Sequence, residues 1–156
     1  SYEAYGPEGV GIIIEVITDN KNRAISEIKA SLNKYGGKLA NSGAVAYLFE
    51  KNGVIELQKT NQTLSGEDLE MVIIESGAKD YEIDEGTIYA YTDPKELTKV
   101  KQNLEFKSLK VEEAKLEMSP GNYVKISEDK KEKIIKLLEM LEDLEDVNQI
   151  FTNADL

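Results

Sequence analysis

Arg23 is the only arginine in the chain, and it closes the polar run Asp19-Asn20-Lys21-Asn22-Arg23. The run sits between an apolar stretch and a helical repeat, so it opens a helix. Unpaired backbone N–H groups and the helix dipole favour an anion at such a place. A guanidinium there can fork onto a phosphate, with Asn20 and Asn22 beside it. The plainer reading is that Asp19 or Asn20 caps the helix and Arg23 pairs with a local carboxylate. A second group, Lys34, Lys38 and Asn41, surrounds Gly36-Gly37. Backbone amides and ammonium groups there can touch phosphate; the alternative is a glycine cap with solvated lysines. Tyr2 and Tyr5, in the opening YEAYGPEG, can stack on bases or on a partner side chain, or can pack a hinge. The candidate nucleic-acid or partner contacts are Tyr5, Asn20, Asn22, Arg23, Lys34 and Lys38.

Other chemistries are excluded by what is missing. The chain has no histidine and no cysteine. That removes a Ser–His triad, a thiolate nucleophile and an ordinary zinc site. The acidic word Glu142-Asp143-Leu144-Glu145-Asp146 lacks the spacing and glycine of a calcium loop and reads as a solvated helix end. The lysines Lys130, Lys131 and Lys133 lie among acids and read as an exposed helix face. No catalytic residue, metal or cofactor is expected. The net charge of −11 argues against broad phosphate binding by this chain, because that binding rests on Lys and Arg releasing counterions. No run is long enough to span a bilayer and no signal-like N-terminus is present. With no cysteine, a cytoplasmic setting is expected.

The elements that position these residues follow from periodicity. Val10 to Ile17 is nearly all apolar and β-branched, a strand covered on both faces. Ile25, Ile28, Leu32 and Tyr35 form one helical face, and Gly36-Gly37 ends that helix. Ala44 to Phe49 reads as a second strand, completing a βαβ unit, plain or split. Glu50 to Gly53 reads as a polar turn, and Val54 to Leu57 as a short strand. Ser65-Gly66-Glu67-Asp68 resembles a capping box ahead of Leu69, Val72 and Ile73. Asp84-Glu85-Gly86 is a hairpin signal between Tyr81–Ile83 and Thr87–Tyr91. Asp93-Pro94-Lys95-Glu96 starts another helix, lined by Leu97, Val100 and Leu104. Leu109 to Met118 is a looser strand that Pro120-Gly121 breaks. Ser127 opens the last helix, with Ile134, Leu137, Leu138, Leu141 and Leu144 on one face, and Val147 to Phe151 is the final strand.

From Val54 to Met118 the order is β-α-β-β-α-β, which is ferredoxin-like. The expected fold class is therefore α+β, with two α/β sandwich-type domains. The outer one is discontinuous, residues 1–51 plus 120–156, and the ferredoxin-like one, 52–119, is inserted into it. Two sequential domains with a C-terminal helix and strand are the alternative.

The words YEAYGPEGV, EVITDNKNRAISEI, KYGGKLANSGAVAYLFEKNGVI and, at the end, KLLEMLEDLEDVNQIFTNADL resemble the YebC family of bacterial regulators. Its mitochondrial relatives activate translation of a cytochrome oxidase subunit. The resemblance implies the same nesting of domains and a probable transcriptional regulator, not an enzyme, that binds DNA when intact. A translation factor acting at the ribosome or on mRNA is the alternative it carries. A small-ligand sensor or a purely structural interaction module is a reading from another class. Members of the family begin with a strongly basic helical domain, and this chain starts where that domain ends. The resemblance thus implies a fragment whose nucleic-acid affinity lies mainly in the absent basic domain.

Overall fold

The structure is a computed structural model that describes residues Ser1–Leu156. In chain order its elements are β1 (Tyr2–Tyr5), β2 (Gly11–Val16), α1 (Lys21–Lys34), β3 (Lys38–Ala40), β4 (Phe49–Gln58), α2 (Gly66–Glu75), β5 (Asp80–Asp84), β6 (Thr87–Thr92), α3 (Leu97–Phe106), β7 (Glu113–Pro120), β8 (Val124–Lys125), α4 (Glu128–Glu142), β9 (Val147–Thr152) and β10 (Ala154–Asp155). They fall into two compact units. One comprises Ser1–Glu50 and Ser119–Leu156, the other Lys51–Met118.

The first unit is a four-stranded antiparallel sheet in the order β3-β1-β2-β9, with α1 and α4 packed on it. Ile12 and Ile14 of β2 meet Ile28 and Leu32 of α1 and Ile134, Leu137 and Leu141 of α4, all fully buried or nearly so. Each such side chain contributes roughly 1.5–3 kcal/mol. β1 and β3 are not the elements the pattern suggested. Tyr2–Tyr5 is a strand of the sheet, while Ala44–Phe49 is not a strand until its last residue. Glu3 is the reason. Its carboxylate accepts from the N–H of Gly43 at 2.6 Å, of Val45 at 2.8 Å and of Ala46 at 2.6 Å. Those donors are taken from any ladder, and the segment folds into a 3-10 turn, Ala46–Leu48, that still buries Val45 and Phe49.

The C-terminal residues complete this sheet. Asn153 is buried, and its Oδ1 accepts from the Gly11 N–H at 2.8 Å. Thr152 Oγ1 donates to the Gly11 carbonyl at 2.9 Å. Gly11 has no room for a side chain, since a Cβ would lie 2.8 Å from Val45 Cγ1.

The second unit has the order β4-α2-β5-β6-α3-β7, and its sheet runs β5-β6-β4-β7. That is the ferredoxin-like arrangement. Its core holds Ile55, Leu57, Leu69, Ile73, Ile88, Ala90, Val100, Leu104 and Leu109. The hairpin turn is where the sequence placed it, with Glu85 and Gly86 both at positive φ, 48° and 87°. The expected turn at Glu50–Gly53 is instead part of one continuous strand, β4. Gly53 pairs with Thr92, and a Cβ there would collide with the Thr92 hydroxyl. Ser65 stands at the N-cap of α2, but its side chain makes no capping bond. Asp93 precedes a 3-10 turn, Pro94–Glu96, that leads into α3. No helix is long and apolar enough to cross a membrane.

Candidate nucleic-acid interface

The candidate residues gather at the two ends of α1. At its start, Asn20 is the N-cap, and its Oδ1 accepts from the Arg23 N–H at 3.1 Å. Thr18 Oγ1 in turn accepts from the Asn20 N–H at 3.0 Å. Asn22 is exposed in the first turn. The Arg23 guanidinium is engaged: Nε and Nη2 donate to the two carboxylate oxygens of Asp146 at 2.9–3.1 Å, and Asp19 stands 3.5 Å away. Hydrogen bonding to Asp146 and the charge of that carboxylate hold Arg23 above its ordinary range. The partner is 123 residues away in sequence, the last acid of a word that reads as solvated. Asp146 is in fact buried, and its carbonyl also accepts from the Ile17 N–H at 2.9 Å. It therefore fastens the end of β2 and the start of α1 to the chain entering β9.

An expected result follows. Arg23→Ala strands a buried carboxylate, whereas Asp146→Asn leaves a half-exposed guanidinium free to turn to water. Thermal unfolding of the two variants should rank Arg23→Ala lower, and the double variant no lower than Arg23→Ala alone. Additive losses would show that the pair does not interact.

The other end of α1 is more open. Gly36, at φ +79°, and Gly37 close the helix: the Gly37 N–H donates to the Leu32 carbonyl at 2.7 Å and the Gly36 N–H to Asn33 at 3.5 Å. The loop after them faces the turn at residues 6–9 across a cleft of about 510 Å³. Lys38 Nζ stands 6.0 Å from the centre of the Tyr5 ring, and Lys34 Nζ 5.7 Å from that of Tyr35. The Tyr5 hydroxyl donates to the Ala44 carbonyl at 3.3 Å, which fixes the ring. Lys133 of α4 also reaches this place, because a Cβ on Gly36 would lie 3.2 Å from its Nζ. Lys133 is a helix-face lysine in sequence and nothing there ties it to Gly36. Glu8, at φ 63°, is the carboxylate in the cleft lining.

The structure thus brings Tyr5 and Lys38 together, leaves Lys34 over Tyr35 at the end of α1, and separately groups Asn20, Asn22 and Arg23. The 14 residues of α1 hold the two groups roughly 20 Å apart. No group of carboxylates that could hold a metal ion is present.

A family model described as "TACO1/YebC second and third domain" matches residues 1–154. The chain belongs to the TACO1/YebC family. Relatives include the "Probable transcriptional regulatory protein TTE1135" of Caldanaerobacter subterraneus, 43% identical over 99% of this chain and 63% of its own length. The "Probable transcriptional regulatory protein YrbC" of Bacillus subtilis is 37% identical over 98% of this chain and 63% of its own. Among solved structures, the crystal structure of the conserved hypothetical protein Aq1575 from Aquifex aeolicus is 41% identical with a TM-score of 0.86, covering 99% of this chain and 63% of that one. The chain therefore spans a little under two thirds of the TACO1/YebC proteins it matches. The matched span includes both ends of α1 and the Asn153 clamp on Gly11.

Proposed function

We propose that this chain is the non-catalytic part of a cytoplasmic transcriptional regulator that binds DNA. The observation that carries this is its membership of a family whose relatives are named probable transcriptional regulatory proteins, matched over nearly the whole of this chain. The cleft beside Gly36-Gly37 supports it locally. Lys38 and Lys133 bring positive charge to the cleft of a chain whose net charge is −11. Free ammonium groups beside a fixed ring suit a backbone phosphate. At the other end of α1, Asn20 and Arg23 act mainly as lock and cap, with the exposed Asn22 as the contact. The remaining part of the longer polypeptide supplies most of the phosphate affinity.

A salt titration of duplex binding tests this, with the chain and a full-length relative side by side. The relative should bind and weaken steeply with salt, while this chain alone binds far more weakly. In the full-length protein, Lys38→Ala should lower affinity a few-fold and reduce the magnitude of the slope of log K against log salt by about one. An unchanged slope would remove the cleft from the interface. Preference for ribosomes or mRNA over duplex DNA in the same titration would move the assignment to translation.

A further inference from the structure

In the second unit, α2 and α3 both pack on the sheet face formed by Ile55, Leu57, Ile88 and Ala90. The alternate positions of the same strands point the other way. There the register of β5 and β6 sets Asp80 opposite Tyr91, Glu82 opposite Tyr89 and Asp84 opposite Thr87. On the other side of β6, Tyr89 stands opposite Glu56 of β4. Tyr89 therefore sits in a row between two carboxylates. Tyr91 leans toward β5, and its hydroxyl donates to Glu82 at 3.2 Å. On β7, Ala114 packs toward the core, so Glu113, Lys115 and Glu117 take the outer side. Lys115 is already held there, by Glu113 at 3.8 Å and by Glu117 at 3.3 Å. Asp80, Glu82 and Asp84 are exposed, and Glu56, Tyr89 and Tyr91 are half-buried. Burial and the charge of Glu113 hold the Glu56 carboxyl above its ordinary value. Burial and the charge of Glu82 push the Tyr91 phenol up to about 12.

We infer that this sheet face is a docking surface for a lysine- and arginine-rich segment of a protein partner, laid in extended form along β5 and β6. Charge selects the class of partner. A phosphate backbone would bring like charge onto Glu56, Asp80, Glu82 and Asp84, whereas ammonium and guanidinium groups pair with them. The faces of the Tyr89 and Tyr91 rings attract the same cations. Spacing selects a polypeptide over a small cation. Alternate side chains of a strand stand roughly 6.6 Å apart. Asp80, Glu82 and Asp84 repeat at that interval, so an extended segment with a basic residue at every second position meets one carboxylate with each. No group of carboxylates here could hold a metal ion instead. The inference adds a protein partner to the nucleic-acid reading and does not depend on it.

A short capped peptide that alternates lysine and threonine, carrying a fluorophore, is titrated with the chain at low salt and followed by anisotropy. Binding is expected, weakening as salt is added. The double variant Glu56→Gln/Glu82→Gln should weaken it about tenfold. Glutamine still accepts from the Tyr91 hydroxyl and removes a like charge, so the melting temperature should not fall. Glu142→Gln/Glu145→Gln takes the same charge from exposed positions at and just past the end of α4, and should change affinity by less than about twofold. Tyr89→Phe should bind like the parent, and Tyr89→Leu a few-fold more weakly. Equal losses in the two double variants would mean that the peptide answers only to the net charge of −11, and would overturn the inference. Spermine that displaces the peptide as effectively as unlabelled peptide does would overturn it as well, by making a small cation the fitting ligand. So would a parent chain that does not bind the peptide at all.

Discussion

Valine at position 37 is expected to destabilise the first unit by about 3 kcal/mol, a fall of about 10 °C in melting temperature. The cause is space. A Cβ on Gly37 would stand 2.7 Å from the Tyr5 carbonyl oxygen and 3.0 Å from Leu32 Cδ2. The first of these atoms is backbone, and it belongs to β1, which pairs with β3 through Tyr5 and Lys38. Relief requires β1 and β3 to part, and the Gly37 N–H bond that closes α1 goes with them. Gly43 is the control: it has positive φ but nothing within 4 Å of a Cβ, so Gly43→Ala should cost about 1 kcal/mol. Thermal unfolding followed by circular dichroism measures both. A Gly37→Val variant melting within two degrees of the parent would show that the strand pair yields freely.

The second large effect is expected at Glu3. Its carboxylate gathers three backbone N–H groups and determines how residues 43–46 fold. Glu3→Ala removes all of those acceptors, and charged hydrogen bonds of this kind put the loss at about 3 kcal/mol for a half-buried group. Glu3→Gln keeps one acceptor oxygen and should lose about half as much. Burial by itself pushes the Glu3 carboxyl up, but the N–H groups of Gly43, Ala46 and Val45 outweigh it, and the folded value lies below the ordinary 4.5. The stabilisation is therefore complete above that ordinary value and disappears as the pH falls through the lower, folded one. The gap in stability between the parent and Glu3→Gln should be full at pH 7 and close in acid. A gap that stays constant down to pH 3 would mean that the charge on Glu3 contributes nothing.

The same residue shows where sequence reading stopped. Ala44–Phe49 is apolar enough for a strand, and only a carboxylate 40 to 43 residues earlier makes it a turn. β1 was hidden because Tyr2–Tyr5 is short and leads into glycines, which suggests a hinge. Strong periodicity was readable: β2, the inward positions Ile28 and Leu32 of α1, the hairpin at Glu85-Gly86 and the ferredoxin-like order all appear where the pattern puts them, whereas Ala24 and Ser31, not Ile25, complete the buried face of α1. Those signals are local. Asp146, Lys133 and Asn153 act across the chain, on Arg23, Gly36 and Gly11, and their own neighbours in sequence give no sign of it. The candidate site suffers most from this. Two of its groups were legible as words, but their separation along α1 and the engagement of Arg23 were not.

The bond between Gly11 and Asn153 spans 142 residues, and it sets an order of events during synthesis. β1, β2, α1 and β3 leave the ribosome well before β9, and β2 waits for that partner. Residues 51–118 need no such delay, because their βαββαβ unit is complete within itself. The middle of the chain is therefore the part that can fold while translation continues. A chain ending ten residues early would carry a folded centre between flanks that lack β9, with the hydrogen-bonding edge of β2 left open to any other strand.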